Sequence, residues 1–179
     1  MTTAAAPGLR RVEHVMGMPV VVEVRDDGAR ADDLDRLFDW LRFVDATFTT
    51  YDEASEICRL ERGELALGDT HPDVREVLRR CELLRDETGG YFDAHATGRL
   101  DPSGFVKGWS VDRAGWLLDA AGIRNYCINA GGDIRARGAA LPEREVYLCG
   151  PPAMAGALKK TLRRAGVPRK HLHTERFAL

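Results

Sequence analysis

Between Ala31 and Phe48 the apolar residues Leu34, Leu37, Phe38, Leu41, Val44 and Phe48 recur every three or four positions. That spacing predicts an amphipathic helix with one continuous buried face. Just before it, Val20 to Val24 is rich in β-branched residues and follows Met16-Gly17-Met18-Pro19, which predicts a strand. Asp26-Asp27-Gly28 closes that strand with turn chemistry. A strand feeding a helix with a declared apolar face points to an α/β fold in which helices cover a sheet.

Further along, Thr49-Thr50-Tyr51-Asp52 breaks the period, and Ser55 to Leu60 reads as a short helix. Gly63 to Asp69 reads as a loop. Thr70, with Asp73 three residues on and Pro72 in the first turn, marks a helix start. Val74, Val77, Leu78, Cys81 and Leu84 carry that helix to Gly89-Gly90. Asp93 to Gly108 is polar and glycine-bearing, and a helix is expected from Trp109 to Ala121. Tyr126 to Asn129 and Ile134 to Arg137 read as strands joined by the turn Ala130-Gly131-Gly132-Asp133. At Gly138 the texture changes. Residues 139–144 read as a junction, followed by a strand (Val146 to Cys149), a helix opened by Pro151-Pro152 and closed by Gly166, and an extended stretch from His171 to Phe177. The expected organisation is residues 1–138, a junction, and residues 145–179.

Hydrophobic residues make up 44% and charged residues 30% of the 179, a globular balance, and a net charge of −2 provides no field for nucleic acid. Cys58, Cys81, Cys127 and Cys149 lack the close spacing of a zinc or redox site and sit among apolar residues. Met1 to Val15 holds no apolar signal core, and no segment is long enough to span a bilayer. A cytoplasmic protein without membrane insertion is expected. The five histidines are scattered, and no Walker loop or serine elbow is present.

Three segments stand out chemically. Tyr51, at a helix end and followed by Asp52 and Ser55, suits stacking on a flat ring, although such a tyrosine is more often a core or cap residue. Gly90-Tyr91-Phe92-Asp93 precedes Asp101-Pro102-Ser103-Gly104-Phe105-Val106-Lys107-Gly108-Trp109. Glycines there would let a backbone approach a phosphate or ring, and Lys107 just before a helix suits an anion. A plain glycine-bearing loop with a solvated lysine fits that spacing equally well. Asn129-Ala130-Gly131-Gly132-Asp133 is first of all a hairpin turn.

In this order, and together with Met16-Gly17-Met18, Leu100 to Asp112 and Asn129 to Arg137, these segments resemble the motifs of flavin transferases of the ApbE type. The resemblance covers most of residues 12–138. It implies an enzyme of the transferase class, an FAD:protein FMN transferase that moves FMN from FAD onto a Thr or Ser hydroxyl of an acceptor protein with Mg²⁺ as metal. It implies FAD contacts from Met16, Tyr51, Tyr91, Phe92, Asp93, Asp101 and Lys107, and one metal ligand from the Gly104 backbone carbonyl. Catalytic residues are not assigned. The family often has Thr at the position of Met18, and its downstream Asp-rich segment and His-containing Asp-Pro motif have no counterpart here.

Val146 to Met154, with Cys149-Gly150-Pro151-Pro152 at its centre, then Gly166-Val167-Pro168 and His173 to Phe177, resembles the last stretch of ferredoxin–NADP reductase-like proteins. The fold expected is therefore α/β: a shortened ApbE-like domain with an antiparallel-rich sheet and covering helices, plus a β-α-β reductase fragment. Three functions compete: the transferase, a non-catalytic remnant of a transferase–reductase fusion that binds flavin weakly at most, and an NAD(P)H-linked reductase component. Uncovered strand edges would favour a homodimer.

Overall fold

The computed structural model describes residues 8–138, 146–149 and 152–175. The junction at 139–144, Gly150-Pro151 of the reductase-like turn, and Arg176-Phe177 lie outside them.

Residues 8–138 carry an antiparallel sheet in sequence order, β1 (Leu9–Val15), β2 (Met18–Val24), β3 (Tyr126–Ala130) and β4 (Asp133–Arg137). Between β2 and β3 run four helices: α1 (Ala31–Phe48), α2 (Glu56–Glu61), α3 (Pro72–Glu87) and α4 (Ser103–Ala120). Val20, Val22 and Val24 of β2 and Tyr126, Ile128 and Ala130 of β3 point the same way. They pack against Leu34, Leu37, Phe38 and Leu41 of α1 and Val111, Ala114 and Leu118 of α4. A second core lies beyond the sheet, where Val44 and Phe48 of α1 meet Ile57, Val74, Val77, Cys81, Val106 and Trp109. Met16 and Trp40 pack against both cores.

Strand β1 was not expected from the sequence. Its inward positions are Leu9, Arg11, Glu13 and Val15, so charges interrupt the apolar alternation. They are tolerated because α1 meets them with charge. Arg11 bonds Asp35 and lies 5.3 Å over the Phe38 ring, while Glu13 accepts from Arg42.

Helix α4 begins six residues before the expected Trp109, at Ser103. Lys107 therefore lies inside a helix rather than ahead of one, a correction to its expected setting. Asp101 supplies the start signal, its Oδ1 accepting from Ser103 N at 3.0 Å. Helix α3 starts as expected at Pro72, but the capping side chain is His71 rather than Thr70: His71 Nδ1 accepts from Asp73 N. Thr70 instead donates to the Leu67 carbonyl, closing a single 3₁₀ turn (Leu67–Asp69) in what read as loop.

In the C-terminal part, β5 (Val146–Cys149) and β6 (Leu172–Glu175) pair in parallel across α5 (Pro152–Arg164). That is the β-α-β order the pattern suggested. No helix among the described residues is long and apolar enough to cross a membrane.

Candidate functional site

The β1–β2 hairpin turns through Met16 and Gly17, because Val15 pairs with Met18. Both residues have positive φ, 55° and 69°, the turn geometry that follows strand twist. A side-chain-bearing residue in this left-handed region costs roughly 1–2 kcal/mol. Met16 is the one non-glycine residue in that region among the described residues. Its N–H donates to Asp45 Oδ2 at 2.9 Å, and its sulfur lies 3.8 Å from Ser110 Oγ.

Opposite stands the first half of α4. Lys107 Nζ donates to the Gly131 carbonyl at 3.2 Å and lies 3.6 Å from Asp133 Oδ2, so it ties α4 to the β3–β4 hairpin. Gly131 and Gly132 turn that hairpin with φ of 53° and 99°. A Cβ on Gly131 would fall 2.8 Å from Met18 Sδ and displace that side chain, and the positive φ itself favours glycine here.

The β1–β2 hairpin, the end of α1 and the first half of α4 form a cleft of about 490 Å³ lined by Met16, Met18, Asp45, Phe48, Thr49, Tyr51, Asp101, Gly104 and Lys107, among others. Four of the seven expected flavin contacts (Met16, Tyr51, Asp101 and Lys107) thus share one cleft with Gly104. Tyr51 is 98% exposed, so its ring is left open to solvent among the described residues. Its neighbours are committed locally. Asp52 Oδ1 accepts from Ala54 N, and Ser55 Oγ donates to Thr49 O while accepting from Cys58 N to cap α2.

The other three expected contacts sit differently. Phe92 is partly buried against the second core and packs below Gly104, its Cε2 3.5 Å from where a Cβ there would stand. Tyr91 is 99% exposed beside the Gly89-Gly90 turn. Asp93 lines a second hollow of about 450 Å³, shared with Leu60, Glu61, Cys81, Glu82, Arg85 and Leu100. There Glu61 accepts from Leu100 N at 3.1 Å, and this bond and the Arg99 guanidinium hold its carboxyl below the usual value. Burial, with a smaller push from Glu82, raises the Cys81 thiol to about 11, which keeps it protonated and inert.

For a metal ion the donors are sparse. Gly104 lies in the first turn of α4, where its carbonyl enters the helix ladder toward Gly108. Among the described residues, no three His, Cys, Asp or Glu side chains gather at one point. These residues do not make a cation site.

The model of the ApbE family matches residues 16–98 and 94–152, a span that includes the whole cleft and runs past Gly138. The chain belongs to the ApbE family. Among curated proteins no match is found. Solved structures of similar fold include a flavin transferase ApbE from Vibrio cholerae, 18% identical with a TM-score of 0.62 over 74% of this chain and 60% of that one. Pseudomonas stutzeri flavinyl transferase ApbE is 19% identical, with a TM-score of 0.65 over 77% of this chain and 58% of its own. An ApbE protein from Thermotoga maritima is 14% identical, with a TM-score of 0.61 over 74% and 59%. At these identities the likeness is one of fold, and this ApbE-family chain spans about three-fifths of their length.

One participant and one pairing escaped sequence reasoning. Asp45 had a signal: four residues after Leu41 and three before Phe48, it places a carboxylate on the buried face of α1. Asp133 stood in a turn segment already singled out, but its pairing with Lys107 is created only by the hairpin folding onto α4.

Proposed function

We propose that the cleft holds FAD and that the chain is the flavin-binding part of an FAD:protein FMN transferase. The observation that carries this is the meeting of Met16, Tyr51, Asp101 and Lys107 around one cleft, in a chain of the ApbE family. Tyr51 offers an unpacked ring for stacking on a flat heterocycle. Lys107 offers a positive charge for the pyrophosphate, and the Gly131 tip lets the backbone close in beside it. Tyr91, exposed at the Gly89-Gly90 turn, and Phe92, beneath Gly104, extend this surface, whereas Asp93 lines the second hollow.

In the reaction, the acceptor's Thr or Ser oxygen forms a bond to the FMN phosphorus. The bond from that phosphorus to the bridging oxygen breaks, AMP departs, and the hydroxyl proton is lost. Of this chain's residues, Lys107 offsets phosphate charge and the cleft walls orient FAD for in-line attack. The resemblance adds Mg²⁺, but the Gly104 carbonyl is the one donor it carries over and the described residues do not complete a site, so no step is assigned to the metal.

That same scarcity of donors favours a second reading, a flavin-holding remnant without transfer. The reductase-like reading of residues 145–179 draws support from the parallel β5–α5–β6 unit alone. Buried thiols at Cys58 and Cys81 suit a cytoplasmic setting.

Titration of the purified chain with FAD, with and without Mg²⁺, tests both readings by flavin fluorescence and thermal stability. Binding at about micromolar affinity is expected. Tightening by Mg²⁺ favours the transferase, and indifference to Mg²⁺ the remnant. A folded sample that ignores FAD contradicts both.

A further inference from the structure

Met16 and Asp45 form a unit that neither the family match nor the fold explains. Met16 holds a backbone conformation that methionine rarely adopts, at φ 55°, on the wall of the cleft. The turn it occupies could take glycine or asparagine there without that strain. Strain of this kind persists only where neighbours over-determine it, and it concentrates at ligand sites. The neighbour here is Asp45. Its carboxylate reaches 29 residues back in sequence, from α1 to the hairpin, to accept the Met16 N–H at 2.9 Å. No other hydrogen bond or ion pair to that carboxylate occurs among the described residues. Asp45 itself is fixed in the last turn of α1, between the buried Val44 and Phe48, and its own carbonyl accepts from Thr49 N at the helix end.

We infer that Asp45 is a positioning residue: through its bond to Met16 N it locks the strained Met16–Gly17 turn, and so fixes the Met16 side chain as a wall of the flavin cleft. This rests on the FAD reading above. The two assignments separate cleanly, because the first concerns whether FAD binds and the second what organises the wall it binds against.

The test is a coupling measurement. FAD affinity is compared for the unmodified chain, Asp45→Ala, Asp45→Asn, Met16→Asn and the double variant Asp45→Ala with Met16→Asn. Asp45→Ala is expected to weaken FAD binding by about tenfold, the scale of one lost charge-assisted hydrogen bond. Asp45→Asn keeps an acceptor oxygen in place and should stay within about threefold of the unmodified chain. Asparagine at position 16 tolerates the left-handed turn on its own, so removing Asp45 in that background should cost about twofold or less.

A second readout follows the wall directly. The chain has four methionines, so methyl labelling of methionine isolates the Met16 signal, which should be sharp and FAD-sensitive in the unmodified chain and broadened in Asp45→Ala. Equal losses from Asp45→Ala in both backgrounds, no loss in either, or a loss on Asp45→Asn matching that on Asp45→Ala would each overturn the inference. So would a lowered melting temperature with unchanged FAD affinity, the mark of a merely structural contact. Failure of the unmodified chain to bind FAD would instead overturn the functional reading and take this inference with it.

Discussion

Helix α4 makes two cationic links to the β3–β4 hairpin, and they are built differently. At its first half, Lys107 reaches out to one carbonyl at 3.2 Å and one carboxylate at 3.6 Å, on the wall of the cleft. At its second half, Arg135 reaches in from β4 and is engaged at each of its three nitrogens. Its guanidinium meets Asp112 at 2.9 Å, Asp119 at 3.4 Å and the Tyr126 hydroxyl at 3.2 Å. Tyr126 Oη in turn lies 3.1 Å from both the Gly115 carbonyl and Asp119 Oδ1, and Arg137 adds a 2.6 Å ion pair to Asp119. A Cβ on Gly115 would fall 2.0 Å from Arg135 Nε, so the helix is notched to admit this side chain. A cation engaged at all three of its nitrogens by fixed partners is structural. One with donors to spare, beside a cleft, is available to an anionic ligand.

The contrast breaks most visibly at Arg135. Replacing it with Met leaves Asp119 and the Tyr126 hydroxyl short of partners and should cost roughly 2–3 kcal/mol of stability. FAD affinity of the molecules that remain folded should hardly change. Chemical denaturation paired with FAD titration separates the two effects, and a stable Arg135→Met chain that had lost FAD would reverse the roles assigned to the two links.

A smaller effect sharpens the other side. Asp133→Asn removes the carboxylate that competes for Lys107, so FAD should bind about two- to threefold more tightly. Stability should move by less than about 1 kcal/mol, because the ion pair is exposed. Weaker binding in this variant would mean that Asp133 orients Lys107 rather than restraining it.

Acid exposes the remaining difference. Burial alone would raise the Asp119 carboxyl, but hydrogen bonds from Arg137 and Tyr126 and the charges of Arg137 and Arg135 outweigh it and hold Asp119 below its ordinary 3.8. Asp26 is held low likewise, burial being outweighed by bonds from Asn125 and Arg124. A depressed carboxyl stabilises the fold fully above its unfolded value, and that stability drains away as pH falls through the folded value. Stability should therefore be flat above about pH 5 from these groups and decline below pH 3.8. The decline should be shallower in Arg135→Met, as followed by melting temperature against pH. Equal slopes would show that Arg135 does not depress Asp119.

Much of this architecture was legible in the sequence where one face of an element is apolar and the other polar. Helix α1 announced itself through Leu34 to Phe48, and the β3–β4 hairpin through Gly131-Gly132. Legibility failed where polar residues face inward. In β1, Arg11 and Glu13 occupy core-facing positions because α1 offers them Asp35 and Arg42, a match that local pattern cannot display. The start of α4 was hidden by Pro102, Gly104 and Gly108, poor helix formers, and by burial on several sides, with Val106, Trp109, Ser110, Val111, Ala114 and Leu118 leaving no clear stripe. Family resemblance named four of the residues that line the cleft, Met16, Tyr51, Asp101 and Lys107, but also Tyr91, Phe92 and Asp93, which do not line it. The cleft's internal wiring, from Asp45 to Met16 and from Lys107 to Asp133, depends on helix α1 and the two hairpins meeting in space.

The central claim is that Lys107 is the ligand's cation, and it is tested most directly by the affinity of FAD against riboflavin, in the unmodified chain and in Lys107→Met. Riboflavin keeps the ring system and lacks the phosphates. The account predicts that the unmodified chain prefers FAD by at least about tenfold, that Lys107→Met loses most of that preference, and that the two chains melt within a few degrees of each other. An undiminished preference for FAD in a folded Lys107→Met chain would contradict it.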